Sequence, residues 1–336
     1  MNVLMICGTY PPEVCGIGDY TARLSESLVR IGLRVMPLPT LWNMRSVARI
    51  VESASDPQYD IVHIQYPGVG YGHSLVPQIL SVKVPAVVTL HEFSHVKLLR
   101  RIACLPFLFS ARQMVFTSEY ELANVMRFFP WIANKSVAIP IGTNIIPVQT
   151  RRPRNFNEVI YFGLIAPRKG IEQVLQFAAY LEQEKAGFKI RLIGQVPSMF
   201  RDYADSLIEK AQGLPVTWTL GKSDHEVAEL LSRASVAYLP FPDGASERRG
   251  TLKAALSSGV VCVSTEGEQT SDTLRGALTI ASDGREALTK IRTLLGDRVA
   301  WERASAASMM YSESFHWDHI ARSHLQVYAK LLERNG

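Results

Sequence analysis

Several large classes of protein are excluded by what this chain has little of. Its 336 residues hold four cysteines, Cys7, Cys15, Cys104 and Cys262, spread without a C-x-x-C pair. That spacing argues against a disulfide frame and a thiolate zinc site, and for free thiols in a reducing compartment, the cytosol. No basic segment precedes the apolar start Met1–Cys7, which reads as a buried strand rather than a signal peptide. The most apolar later stretch, Ile102–Phe116, is broken by Pro106 and Arg112 and is shorter than a bilayer span. Long basic runs and basic–aromatic interleaving are absent and the net charge is a modest +5, so no nucleic-acid groove is expected. Acidic small molecules or an anionic membrane face fit that balance better. No full G-x-G-x-x-G follows a strand, and Leu38-Pro39-Thr40 stands where a nicotinamide site wants an acidic strand end. The expectation is a protein without metal or other cofactor.

What is present is enough apolar material, 47%, to fold throughout. The length exceeds one core, so two domains of about 150 residues each are the prior. Apolar runs at Val3–Cys7, Val35–Leu38, Ile61–Gln65, Val76–Leu80, Val87–Leu90, Met114–Thr117 and Val137–Ile139 alternate with helical patterns near Asp19–Ile31, Met44–Ser53 and Glu119–Phe128. Such alternation predicts a parallel sheet covered by helices on both faces. The polar, proline-bearing Arg151-Arg-Pro-Arg-Asn155 interrupts it as a linker. A second alternation follows, with strands at Val159–Phe162, Lys189–Ile193, Val216–Leu220, Val236–Leu239, Val260–Ser264 and Leu278–Ile280. The prediction is an α/β chain of two Rossmann-like, doubly wound domains facing a central cleft. Residues 1–150 form the first, completed by a C-terminal helix over 314–336 that covers or ties the domains, and residues 151–313 the second. Ligands of such sheets bind at the carboxyl ends of the strands, so the cleft is the expected site.

Three loops at those ends carry chemistry. In Pro240-Phe-Pro-Asp-Gly-Ala-Ser-Glu-Arg-Arg-Gly-Thr251, two adjacent arginines, Arg248 and Arg249, precede a helix opening at Gly250-Thr251. Arginine forks and the first-turn amides of Gly250, Thr251 and Leu252 together suit a diphosphate, although pairing of the arginines with Asp243 and Glu247 explains the same residues. In Phe162-Gly-Leu-Ile-Ala-Pro-Arg-Lys-Gly170, the glycines Gly163 and Gly170 bracket Arg168 and Lys169, cations at a second helix start. In Gly8-Thr-Tyr-Pro-Pro-Glu-Val-Cys-Gly-Ile-Gly18, Gly16 and Gly18 let backbone amides approach an anion or sugar oxygen. Gly194 and Leu220, at the ends of two further strands, join the donor-binding set. His91 ends the strand Val87–Leu90 on the cleft side, which raises it from a structural histidine to a catalytic candidate.

These segments resemble the retaining glycosyltransferases of family 4, which have the GT-B fold. Tyr10-Pro-Pro-Glu-Val-Cys-Gly-Ile-Gly-Asp19 is similar to the family's N-terminal glycine loop, Thr89-Leu-His91 to its Thr-x-His strand end, and Ile139-Pro-Ile-Gly-Thr-Asn144 to its pre-linker turn. Phe162–Gly170 resembles its Gly-Arg-x-x-x-x-Lys-Gly element, and Phe315-x-Trp317 opens a helix like the one that crosses back to the first domain. The resemblance implies that Lys169 contacts the donor diphosphate, that His91 lies by the donor sugar, and that Gly16 and Gly18 lie near the diphosphate and acceptor. Two positions depart from the pattern. The arginine of Gly-Arg is Leu164, leaving Arg168 or the Arg248–Arg249 pair to supply that charge. The acidic E-x7-E pair falls on Ala245 and Lys253, with Glu247 and Asp243 as nearby carboxylates, and Ser246-Glu-Arg-Arg-Gly250 looks like a variant found among bacterial polysaccharide enzymes.

The expected function is metal-independent, retaining transfer of a sugar, a hexosyl group, from a nucleotide donor, a UDP-sugar, to a polysaccharide or lipid-linked saccharide. His91 and Glu247 are the catalytic candidates. The rival readings are a nucleotide-sugar epimerase of the same architecture and a non-catalytic nucleotide-sugar-binding protein. The expected location is the cytoplasm, with possible peripheral contact at the inner membrane face through Val96–Phe109, a segment that a buried core helix with a cationic end explains equally.

Overall fold

The computed structural model describes residues 1–13, 15–38, 42–94, 98–148 and 152–333. They form two compact units. One comprises Met1–Gly142 with His316–Gly336, the other Thr143–Phe315. The break lies ahead of the proline-bearing segment expected as a linker, because Ile145 already packs in the second core. Arg151 is outside the described residues.

The first unit runs β1 (Asn2–Ile6), α1 (Gly16–Arg30), β2 (Arg34–Pro37), α2 (Val47–Ala54), β3 (Ile61–Tyr66), α3 (Val76–Lys83), β4 (Ala86–Leu90), α4 (Leu98–Ser110), β5 (Gln113–Phe116), α5 (Glu119–Phe128) and β6 (Ser136–Ala138). Its sheet is wholly parallel, in the order β2-β1-β3-β4-β5-β6. Strands β3, β4 and β5 are buried along their whole length, as strands covered on both faces must be. Alternate residues separate cleanly: Leu4, Ile6, Val62, Ile64 and Val88 enter one core, while Val3, Met5, Ile61, Val87 and Val115 enter the other. The apolar run Val76–Leu80, read with the strands, is helical. It lies in the crossover that two parallel neighbours, β3 and β4, require, and Pro77 sits in its first turn.

The second unit runs β7 (Asn155–Phe162), α6 (Ile171–Gln183), β8 (Lys189–Gly194), α7 (Arg201–Lys210), β9 (Val216–Leu220), α8 (Asp224–Arg233), β10 (Ala234–Leu239), α9 (Gly250–Ser257), β11 (Val261–Ser264), α10 (Asp272–Gly276), β12 (Thr279–Ile280), α11 (Gly284–Gly296) and α12 (Arg298–Ser312). Its parallel sheet has the order β9-β8-β7-β10-β11-β12. Helix α13 (Trp317–Glu333) then returns to the first unit. Trp317, Ile320, Ala321, His324, Val327, Tyr328 and Leu331 form its buried face, at helical spacing, against Tyr20, Leu24 and Leu28 of α1. Leu332, next to Leu331, lies on the exposed side.

Candidate functional site

In the second sheet the strand order reverses between β7 and β10. The chain leaves β7 toward β8 and β9, then crosses back to β10. The two loops that follow β7 and β10 therefore emerge side by side at the carboxyl edge, the place where open parallel sheets bind ligands. Each holds a pair of adjacent cations, Arg168–Lys169 and Arg248–Arg249. Gly170 seals the contact between them: its φ is +83°, and a side chain there would fall on the carbonyl oxygen of Pro240. The Tyr161 hydroxyl donates to the carbonyl of Lys169 at 3.0 Å, which fixes the loop from below. Arg168 sits in the left-handed region at φ 62° and is exposed. Gly194 packs on the carbonyl of Gly163, and the Gly221 amide, following Leu220, donates to Gly194 at 3.0 Å. Gly163, Arg168, Lys169, Gly194 and Leu220 thus share one edge with the loop after β10.

That second loop ends on the N-terminus of α9. Its N-cap, Arg249, makes no side-chain cap, so the first-turn amides of Gly250, Thr251 and Leu252 lack a capping acceptor and carry the positive end of the helix. The Leu252 side chain is core, leaving its backbone as its only polar contribution. Arg249 pairs with Asp243 and lies over Phe241, its Cζ 4.8 Å from the ring centre. Arg248 is exposed. The ion-pair explanation of these arginines therefore holds for Arg249 with Asp243, and Glu247 accepts from two hydroxyls. The Ser271 and Tyr311 hydroxyls donate to its Oε1 at 2.9 and 2.7 Å. Burial, with Glu247's own charge, pushes the Tyr311 hydroxyl well up, so it remains a donor.

The positions of the degenerate acidic pair are both inside. Ala245 and Lys253 are buried, and burial pulls the Lys253 ammonium down to about 8, with the nearby Glu247 charge opposing that fall. Its Nζ lies 5.6 Å from the centre of the Phe315 ring. Ser271 and Tyr311 are the residues that sequence spacing did not bring to Glu247; only the fold does.

In the first unit the order reverses between β1 and β3, and glycine rather than charge marks that point. A side chain at Gly70 would fall on the Gly8 carbonyl, and the Gly70 amide donates to Thr9 Oγ1 at 2.9 Å. Helix α1 opens after Cys15 without a side-chain cap. Gly16 has open space around it, and Gly18 packs against the Thr9 carbonyl.

His91 follows β4 and, half-buried itself, ends a chain of buried polar groups. Its Nε2–H donates to Gln65 Oε1 at 2.8 Å, and Gln65 Nε2 donates onward to His63 Nε2 at 3.2 Å. Thr89 Oγ1 lies 2.7 Å from that nitrogen, and His63 Nδ1 meets the Tyr328 hydroxyl of α13 at 2.7 Å. An amide oxygen can only accept, so Gln65 fixes the proton of His91 on Nε2. Burial first, then the nearby His324, draws the His91 ring down to about 3, and it is therefore neutral across the physiological range. Glu121, buried, accepts from the amides of Phe93 and Ser94 at 3.2 and 3.0 Å and sets the path of the chain past His91. Neither Gln65 nor Glu121 carried a sequence signal beyond its residue type.

The segment His91-Glu-Phe-Ser-His95 spells H-E-x-x-H. A zinc site needs that spacing on a helix, where both imidazoles share a face. Here His91 follows a strand and its Nε2 is taken by Gln65, and His95 lies outside the described residues.

Comparison with known proteins gives a family match that lies within the second unit. Residues 143–303 match the family model for glycosyl transferases group 1. An uncharacterized glycosyltransferase of Bacillus subtilis (strain 168), YqgM, is 23% identical over 369 residues that span 100% of this chain and 99% of that protein. A glycogen synthase of Mycobacterium tuberculosis is 27% identical over 191 residues, 54% of this chain and 45% of that protein. Among solved structures, a sucrose-phosphate synthase of Thermosynechococcus elongatus superposes with a TM-score of 0.69 at 17% identity, over 99% of this chain and 100% of that one. The fold is that of the GT-B glycosyltransferases, two Rossmann-like domains, and the chain is an enzyme that resembles the glycosyl transferases group 1 over residues 143–303.

Proposed function

We propose that this enzyme is a retaining glycosyltransferase that needs no metal and moves a hexosyl group from a UDP-sugar to a polysaccharide or lipid-linked saccharide. The observation that carries this reading is the meeting of two cationic loops and one uncapped helix N-terminus at the switch point of the second sheet. The difficult step is departure of a nucleoside diphosphate while positive charge develops on the sugar. Lys169, Arg168 and the Arg248–Arg249 pair would take up the growing negative charge together with the amides of Gly250, Thr251 and Leu252. Such fixed donors commonly contribute several kcal/mol, roughly 3–4 for a single one.

His91, neutral with its proton committed to Gln65, would present Nδ1 as an acceptor to a hydroxyl, so its role is to place the sugar. Glu247, held by Ser271 and Tyr311, would orient sugar hydroxyls from the second unit. Gly16 and Gly18 would line the diphosphate and acceptor. In this reading the acidic pair of the resembled family is replaced by Glu247 with its arginines, and the epimerase and non-catalytic readings are the alternatives tested against it.

The experiment is turnover of a panel of nucleotide sugars, scored as released nucleoside diphosphate with and without saccharide acceptors, and with chelator present. Acceptor-dependent release of UDP that survives the chelator, with the anomeric configuration kept in the product, is expected. An epimerised sugar formed without acceptor, or tight nucleotide-sugar binding with no release for any donor, would overturn it.

A further inference from the structure

Helix α4 is built inside out on one side. Cys104, Phe107 and Leu108 are buried against the first sheet, as its inner face requires. The opposite face is not polar. Leu98, Leu99, Ile102 and Phe109 are 71, 81, 52 and 68% exposed, and Pro106 is exposed between them. At 100° per residue, positions 98, 102, 106 and 109 fall on one stripe with Leu99 at its border, so three turns present carbon to solvent where charged side chains are normal. Trp131, 50% exposed, extends the stripe: its ring lies 5.5 Å from that of Phe109. No helix among the described residues is long and apolar enough to cross a membrane. The stripe therefore has a surface, not a span, to occupy.

Charge tells which surface. From Phe93 to Ser118 the sequence holds no acidic residue, while Arg100, Arg101 and Arg112 flank the stripe. Lys97 adds a further cation in the sequence, and Val96 and Lys97 of the segment singled out earlier lie outside the described residues. At the carboxyl end of α4 a cavity of about 860 Å³ opens beside Pro106 and Phe109, and Lys83, Arg112 and Lys135 line it with no carboxylate among the lining side chains. Lys135 reaches the Ala111 carbonyl at 2.9 Å, so the ammonium is held in place at the mouth of the recess. An apolar stripe rimmed on both ends by cations matches the boundary between acyl chains and anionic headgroups. A protein partner would call for mixed polar complements around the rim, which the stripe does not offer.

We propose that the outer face of α4, with the cation-lined recess at its end, docks the first unit on the surface of an anionic phospholipid bilayer. Leucine, isoleucine and phenylalanine side chains enter the acyl boundary singly, and the recess takes a lipid phosphate.

The test is flotation of the full chain with phosphatidylglycerol–phosphatidylcholine vesicles and with phosphatidylcholine alone, at low and high salt. Binding is expected to the anionic vesicles, to fall as salt rises, and to drop about tenfold or more in Leu99→Gln/Ile102→Gln. Arg112→Ala and Lys83→Ala are each expected to lower it about fivefold. Because all four residues are exposed, an unchanged melting temperature shows that the variants fold. Unchanged nucleoside diphosphate release from a soluble acceptor shows that the loss is one of docking and not of chemistry. Absence of vesicle binding at low salt, or variants that float like the parent, overturns the proposal. So does a dimer in light scattering that the same variants dissociate, since the stripe would then be an interface between two copies.

Discussion

The two sheets repeat one architecture yet use their switch points in opposite ways. In the first, the crevice between β1 and β3 is lined by glycine backbone, and the polar groups nearby are neutral and bonded to one another: half-buried His91 with buried Gln65, His63 and Tyr328. In the second, the loops after β7 and β10 hold Arg168, Lys169, Arg248 and Arg249 around a helix N-terminus. The second order is 3-2-1-4-5-6 counted within its unit, the arrangement of nucleotide-binding sheets, whereas the first is 2-1-3-4-5-6. Equal folds thus offer unequal electrostatics. Under the proposed function the charged crevice would take the departing anion, and the neutral one would place hydroxyl groups.

The comparison can be broken at its strongest point by removing charge from the second unit. Lys169→Ala combined with Arg249→Ala is expected to reduce kcat/KM by about 10²–10³ and to weaken UDP binding, with the melting temperature little changed. Calorimetry and initial rates check it, and unaltered UDP affinity would remove the loops from the donor site. The glycine crevice is tested by Gly70→Ala, where the new methyl would meet the Gly8 carbonyl. A loss of about 3 kcal/mol is expected in urea melts, against a change of less than about 1 for Gly16→Ala, which has open space.

Acid sharpens the contrast further. His91 and His324 have folded values drawn down to about 3 and about 4, and His63 is drawn down as well, mainly by burial. The unfolded chain takes up these protons first, so the stability they contribute is complete above pH ~6.5 and is lost as pH falls toward 4. The loss is on the order of 2 kcal/mol per buried histidine by pH 5. All three belong to the first unit, and calorimetric scans from pH 7 to 4 should show its transition moving more than that of the second. The smallest effect is expected of Glu247→Gln, about tenfold in turnover with UDP affinity kept within a few-fold, because the amide retains the Ser271 and Tyr311 contacts and loses only charge. Parallel loss of binding would make Glu247 a structural anchor.

Much of this was legible before any coordinates. Parallel strands buried on both faces leave continuous apolar runs, and the cation loops announce themselves by glycine, arginine and lysine next to a strand end. Val76–Leu80 was misread because five apolar residues fit a strand or a helix equally, and the crossover geometry decides between them. The surroundings of Glu247 were not legible at all. Its partners come from 24 and 64 residues further along, and no local period links them. The neutral state of His91 was hidden for the same reason, since it depends on burial and on Gln65, 26 residues earlier. Helix α4 was legible as an apolar segment with a cationic end, but which side faces outward is a property of the packed sheet.

Helix α13 has a consequence for how the molecule can be taken apart. Because Trp317–Glu333 packs in the first core, the second unit is a guest inserted within its host, and the chain passes between them twice. The two passages run side by side: the Thr143 amide donates to the Phe315 carbonyl at 3.1 Å, and Trp317 fills the space over Gly142. A gene for the host alone is therefore made by excision, joining Gly142 to His316 through a short turn, and not by truncation. Clipping the last helix would instead strip Tyr328 from His63 and leave the guest whole while the host came apart.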